Sequence, residues 1–301
     1  MVLTSTPREK AQFIEQAAVQ GRSLWDDARA RLMRNKAAVT GLVILAVLVF
    51  LAFIGPLLWV HESDVIYRDR VQMAPTLENL HLFGTDAQGR DLFARVLVGL
   101  RMSLMVGVVA TMVSLAIGVV WGATAGFLGG RVDQIMMRIV DVLYSLPFIF
   151  FVIILMVVFG RNIILIFVAI GAVEWLTMAR IVRGQTIALK GMEFVEAAQA
   201  AGVSQFSIIR RHIVPNVLGP VVVYVTLTIP VVILAESFLS FLGLGVQEPL
   251  TSLGNLISNG ARDMEIAPWT LIAPAATMML TLFCFNFLGD GLRDAIDPKD
   301  R

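Results

Sequence analysis

Six stretches of this chain are apolar for long enough to cross a bilayer, and polar stretches of differing character separate them. About 30 Å of hydrocarbon, divided by a rise of about 1.5 Å per residue, asks for about 20 mainly apolar residues in each helical crossing. The pattern predicts spans at 38–60, 102–128, 139–159, 163–178, 217–242 and 269–288. The fourth is short and carries Glu174. This alternation predicts an all-α polytopic membrane protein with six transmembrane helices.

The polar stretches divide the chain further. Residues 1–37 hold seven Lys or Arg, a lead too long and polar for the basic start of a cleaved signal peptide, so 38–60 reads as an uncleaved first anchor. Within that lead, Phe13, Ala17, Ala18, Trp25, Ala28 and Leu32 recur at near-helical spacing beside Arg22, Arg29, Arg31, Arg34 and Lys36. Such a pattern suits an amphipathic helix in the headgroup layer, and equally a solvated helix with a basic flank. Residues 61–101 form a polar loop containing GTDAQGRD at 84–91, and 244–267 form a second. The core covers 102–289, with a polar excursion at 190–216, and 290–301 form a tail. With a cytoplasmic N-terminus, seventeen of the 24 basic residues fall inside and seven outside, so both termini are expected in the cytoplasm and the two loops outside.

Composition narrows the class. With 57% hydrophobic and 16% charged residues, the chain is too apolar for an ordinary soluble enzyme of 301 residues. A net charge of +1 supplies no overall field to draw it to nucleic acid. The single cysteine, Cys284, lies in an apolar run and reads as packing. His61, His81 and His212 are scattered among polar stretches, where solvated or capping roles are expected, and no His, Cys and carboxylate group shows metal-ligand spacing. The phosphate-binding sequence G-x-x-x-x-G-K-S/T does not occur, and GTDAQGRD lacks its lysine; it reads as a turn leading into the second span.

Inside the spans, Ser114, Gly118, Gly122 and Gly126 repeat every four residues and form a smooth helix-packing stripe. Pro147 and Pro230 fall within spans three and five, where a missing N–H and a ring clash bend a helix. Glu174 and Glu236 are the deepest ionisable residues, with Asp141 nearer an end. Each deep carboxylate is expected to face protein or a watery cavity, where it bonds a neighbouring helix, contacts cargo or relays a proton.

The excursion at 190–216 reads KGMEFVEAAQAAGVSQFSIIRRHIVPN. Its first half favours a helix, Gly202 interrupts it, Ser204 can cap a second short helix, and Pro215 is expected to stop that one. Glu193 and Glu196 near the start, and Arg210, Arg211 and His212 near the end, complement the helix dipoles. Of Phe194, Val195, Phe206, Ile208 and Ile209, some must pack on the bundle while others are free to enter a groove on a partner. From the residues alone, a docking element and a connecting loop both fit.

Glu196-Ala197-Ala198, three residues, Gly202 and the downstream Pro215 resemble the EAA signature of the membrane permease subunits of binding-protein-dependent ABC importers. The general pattern has isoleucine and leucine shortly before the proline; this chain has His212 and Val214 there, with Ile213 between, which is similar to the peptide-importer branch. GTDAQGRD, ESFLSFLGLGVQEP at 236–249 and GDGLRDAIDPKDR at 289–301 also resemble that branch, so the similarity covers nearly the whole chain and is nearest to the C-type permeases of oligopeptide importers.

The resemblance implies a type I ABC importer permease fold in a bacterial inner membrane, with spans two to six around a pathway shared with a second, homologous permease subunit. It implies two cytoplasmic ATPase subunits that carry ATP and Mg2+, no cofactor on this chain, and a peptide-binding protein outside that delivers the peptide substrate. Glu196, Ala197, Ala198, Gly202, Ile213 and Pro215 would then belong to the segment that couples the permease to an ATPase. Dipeptide, nickel and glutathione importers share much of the pattern. A proton-coupled secondary transporter working through Glu174 or Glu236, and a membrane scaffold, are the other classes, and neither needs the EAA segment.

Overall fold

The computed structural model describes residues 24–159 and 163–296; Phe13, Ala17, Ala18, Arg22, Arg161, Lys299 and Arg301 lie outside the described residues. All regular elements among the described residues are helical, and their order follows the hydropathy pattern: α1 (Leu24–Arg34), α2 (Lys36–Leu58), α3 (Leu92–Leu128), α4 (Gly130–Tyr144), α5 (Phe148–Phe159), α6 (Ile163–Lys190), α7 (Glu193–Ala200), α8 (Gln205–Phe241), α9 (Leu253–Asp263) and α10 (Trp269–Ile296).

Among the described residues, α2, α3, α8 and α10 are each long and apolar enough to cross a membrane, and α4 with α5 adds a fifth crossing if that pair counts as one. Length and composition therefore give four or five crossings, where the sequence pattern predicts six. Two segments make the difference. Span three is broken: α4 ends at Tyr144, Pro147 sits in the gap, and the pair bends by 86°. The segment expected as span four opens α6, whose length also carries Glu174, Arg180, Arg183 and Lys190. Pro230, by contrast, lies inside the continuous α8.

Polar caps set several of these boundaries. The Asn35 side chain accepts from the backbone N–H groups of Ala37 and Ala38 and starts α2. Asp91 starts α3 ten residues ahead of the predicted span, accepting from Ala94 N at 2.8 Å. The added turns keep Leu92, Val96 and Leu100 buried against Leu253 and Leu256 of α9 and Cys284 and Phe285 of α10. α9 itself is an amphipathic helix within the predicted loop 244–267, capped by Ser252.

The packing of α3 on α6 is the most extensive helix contact among the described residues. Ser114, Gly118, Gly122 and Gly126 are all buried along it. A Cβ on Gly122 would collide with the Ala179 carbonyl oxygen, and one on Gly118 would lie 2.6 Å from Met178 Cβ, so the two backbones touch where a side chain cannot fit. Arg183 clamps the same pair to α4, donating from Nε and Nη2 to the two Asp133 oxygens at 2.5 and 2.6 Å, and Arg180 reaches Asp141 at 2.8 Å.

The segment 61–91 corrects the expectation for two histidines. His61 and His81 are buried rather than solvated, and their rings stack at 4.3 Å. His81, His61 and Asp91 bring a ligand-type atom each to within 4.8 Å of one another, a grouping that spacing along the sequence hides. All four ring nitrogens are nevertheless engaged. His61 Nδ1 meets the Tyr67 hydroxyl at 2.9 Å and Nε2 the Asn79 carbonyl at 2.8 Å. His81 Nδ1 donates to Asp91 at 2.7 Å, and Nε2 meets Arg70 at 3.3 Å. Stacked rings with occupied nitrogens form a hydrogen-bonded clasp, with Asp91 at its centre also accepting from Trp59 Nε1 at 3.1 Å.

Asp91→Ala removes a helix cap and leaves the buried His81 donor and the half-buried Trp59 donor unpaired. It is expected to destabilise the detergent-solubilised protein by about 2–4 kcal/mol, read as a lowered midpoint of thermal unfolding; an unchanged midpoint refutes the clasp.

Candidate coupling site

The excursion between α6 and α8 folds as a helix, a tight turn and a second helix. α7 ends in a Schellman turn: Val203 N donates to Ala198 O at 3.1 Å and Gly202 N to Gln199 O at 3.0 Å, with Gly202 at φ +77°. Nothing stands within 4 Å of a Cβ placed on Gly202, so the backbone conformation requires glycine here, and crowding does not. Ser204 then caps α8, accepting from Ser207 N.

Pro215 does not stop the second helix. The chain passes through a π-helical turn at Ile209–Ile213, where Val214 N bonds to Ile209 O, and continues unbroken to Phe241. That wider turn removes the ring clash a proline meets one α-helical turn after a carbonyl. Pro215 thus sits in the first turn after the π segment, its side chain exposed.

One face of this unit is anchored and the other is open. Val195, Ile208 and Ile213 are buried with Ala123 and Phe127 of α3 and Met178 and Val182 of α6. Ala198 packs partly against the same cluster. Glu196, Ala197, Gly202 and Pro215 are exposed, together with Phe194 and the 73% exposed Phe206. Ile213 is therefore an anchor on the bundle and is turned away from the open face. Glu193 and Glu196 occupy the first turn of α7, and Arg210, Arg211 and His212 lie in the π segment.

At the far end of α8 a second group comes together. Glu236 is fully buried, accepting from Ser240 Oγ at 2.6 Å and Ser103 Oγ at 3.3 Å. Ser240 Oγ also meets Ser252 Oγ, the cap of α9, at 3.3 Å, and Ser103 Oγ accepts from Leu253 N at 3.1 Å. One carboxylate thus ties α3, α8 and α9. Glu174 is only partly buried, on α6. Sequence reading picks out Glu236 as a deep acid but not its serines, which come from three separate segments.

Sequence reading also misses Arg95. It lies in the first turns of α3 with a side chain 2% exposed, beside Arg90, Asp86 and Glu248. An arginine just outside an apolar run reads as an ordinary flank, and only the fold brings Glu248 to it.

Comparison with known proteins places this geometry among transport proteins. Residues 118–301 match the family described as binding-protein-dependent transport system inner membrane component, and 23–75 match the N-terminal TM domain of oligopeptide transport permease C. The chain is 53% identical to the oligopeptide transport system permease protein OppC of Haemophilus influenzae, over 98% of this chain and 97% of that one. It is 57% identical to OppC of Escherichia coli K12, over 96% of each, and 44% identical to the dipeptide transport system permease protein DppC of Bacillus subtilis, over 100% and 92%. Among solved structures, the inward facing MetNI methionine ABC transporter shares the fold with TM-score 0.51 and 20% identity, over 67% of this chain and 96% of that chain.

Glu236→Ala leaves the Ser103 and Ser240 hydroxyls without their acceptor and opens a cavity beneath α9. Faster backbone amide exchange across Leu253–Asp263 is expected, with Glu236→Gln close to wild type; equal exchange in all three proteins refutes the tie.

Proposed function

This chain belongs to the family of binding-protein-dependent transport system inner membrane components, and from that premise we propose that it forms half of the translocation pathway of an ATP-driven oligopeptide importer. It is a permease subunit and not an enzyme. The oligopeptide cargo is supported by near full-length likeness to the permeases named for oligopeptides in Haemophilus influenzae and Escherichia coli, 53% and 57% identical.

One observation carries the coupling role: the EAA segment presents an open face while its other face is sealed onto the α3–α6 seam, and it leads straight into a helix of 37 residues. At about 1.5 Å per residue that helix is about 55 Å long, enough to run from one membrane surface to the other. In this reading Glu196, Ala197, Gly202 and Phe206 seat in a cleft of a cytoplasmic ATPase subunit, while Ala198 and Ile213 fix the segment to the bundle. ATP and Mg2+ sit on the two ATPases. Their closure drives the paired coupling segments of this chain and a second, homologous permease together, and α8 carries the displacement to Glu236 and so to α9 at the outer surface. Packed interfaces of this kind switch between discrete arrangements rather than deforming smoothly.

The remaining assignments follow the same reading. α2, α3, the bent pair α4 and α5, α6, α8 and α10 supply six crossings of a bacterial inner membrane. Both termini and the coupling segment lie in the cytoplasm. The segment 61–91 and the region of α9 face a peptide-binding protein outside. Glu236 acts as a tie held by hydroxyls, which argues against a proton wire through it.

Gly202→Arg forces a left-handed backbone position onto a residue with a side chain, at a cost of about 1–2 kcal/mol, and projects a charge from the seating face. Peptide uptake by the assembled transporter is expected to vanish while the subunit remains inserted and abundant; normal uptake refutes the coupling role. In right-side-out membrane vesicles, uptake should track internal ATP, at the ATPase face. Uptake that persists without ATP and stops with an uncoupler would instead identify a proton-driven carrier.

A further inference from the structure

At the end of the bundle away from the coupling segment, a cleft of about 340 Å³ opens between the turn before α3 and helix α9, with Arg95 in its wall. Its charges are unevenly satisfied. Arg90 donates from Nε to Asp86 at 2.8 Å and from Nη2 to Glu248 at 3.0 Å. Arg95 lies behind, with Nε 3.6 Å from the same Asp86 oxygen and Nη2 3.7 Å from the same Glu248 oxygen. Both atoms are buried and find no hydrogen-bond partner among the described residues. Nε and Nη2 form one edge of the guanidinium, the fork that takes a carboxylate with two parallel bonds.

Both carboxylate oxygens face the fork from beyond hydrogen-bond reach, and a buried cation held so loosely gains from a ligand that closes the distance. Glu248 shows that a carboxylate fits near this place, and its side chain is 53% exposed on a loop, where, among the described residues, Arg90 alone holds it within hydrogen-bond distance. The cleft also carries side-chain amides. Gln247 donates to Gly245 O at 2.9 Å and Asn259 to Asn255 Oδ1 at 2.9 Å, which leaves the carbonyl oxygens of Gln247 and Asn259 as acceptors for N–H groups. A guanidinium fork beside amide acceptors is complementary to the end of an extended peptide, with a terminal carboxylate and the backbone N–H groups that precede it. The depth of Arg95, its side chain 2% exposed, suits a single chain end better than a folded surface.

We propose that this cleft receives the C-terminal carboxylate of the transported peptide, which displaces Glu248 and bonds Arg95 through Nε and Nη2. The proposal rests on the reading of the chain as a peptide permease and adds a contact between this subunit and its cargo.

The test uses the complete reconstituted assembly, with binding protein loaded beforehand with either tetra-alanine or its C-terminal amide, so that capture by the binding protein does not enter the comparison. The wild type is expected to transport the acid about tenfold faster than the amide at equal loaded complex. Arg95→Gln should bring that ratio to about one, and Arg95→Lys, which keeps the charge and loses the fork, should leave it at about threefold or below. Glu248→Gln, on the exposed loop, removes the competing carboxylate and should raise the ratio about threefold; it decides the question even where an Arg95 variant fails to assemble. A wild-type ratio near one, or one ratio shared by the wild type, Arg95→Gln and Glu248→Gln, overturns the proposal. Equal loss of acid and amide transport in Arg95→Gln also overturns it and assigns Arg95 to seating the binding protein. Absence of ATP-dependent transport of either peptide by the wild type would be the separate failure of the peptide-permease reading.

Discussion

The direct backbone contact of α3 with α6 is the constraint from which the remaining architecture follows. Association of helices in lipid draws little from the hydrophobic effect, because lipid tails are as apolar as the helices themselves, and close packing has to supply the attraction. Gly118, Gly122 and Gly126 permit that approach, and the atoms they admit belong to Met178, Ala179 and Arg183. The end of this seam nearest α7 is also the floor on which Val195, Ile208 and Ile213 rest. The segment proposed to meet the motor is therefore mounted on the most extensive helix contact among the described residues. Its open face is positioned by the burial of its hidden face.

Charge is handled by a second rule at both ends of the bundle. Arg183 and Arg180 are matched by Asp133 and Asp141 where α4 meets α6. Glu236 is surrounded by hydroxyls and Asp91 by His81, Trp59 and a backbone N–H. These groups tie elements that are distant in sequence, which is the use a buried polar contact has where apolar packing alone would leave several registers similar in energy. Arg95 departs from the rule, and an under-satisfied group in an otherwise satisfied structure is where a ligand is best sought.

Local features of the fold were legible in the sequence and long-range ones were not. The spacing of Ser114, Gly118, Gly122 and Gly126 marks one helical face whatever the partner, and Gly202 followed by Ser204 marks a turn between helices wherever it occurs. Pro215 misleads because its effect depends on the preceding turn: after an α turn a proline halts a helix, and after Ile209–Ile213 it is accommodated. His61, His81 and Asp91 look unrelated because loop closure brings them together across some thirty residues. The early start of α3 is hidden by Arg95 and Arg101, which read as a polar flank until α9 covers the first of them. Arg95 itself resembles any juxtamembrane arginine until Glu248, from another segment, is set beside it.

The π segment has a consequence for the direction in which the open face of the EAA segment points. A π turn holds about one residue more than the α turn it replaces, and one residue corresponds to about 100° of rotation about a helix axis. Everything before Ile209 is therefore rotated by about that angle relative to an unbroken α-helix continuing into Val214. Shortening this stretch by one amino acid would preserve composition and apolar character while swinging the exposed side chains toward a different compass bearing. The azimuth of that open face is thus encoded by a residue count, and length in this stretch matters as much as chemistry.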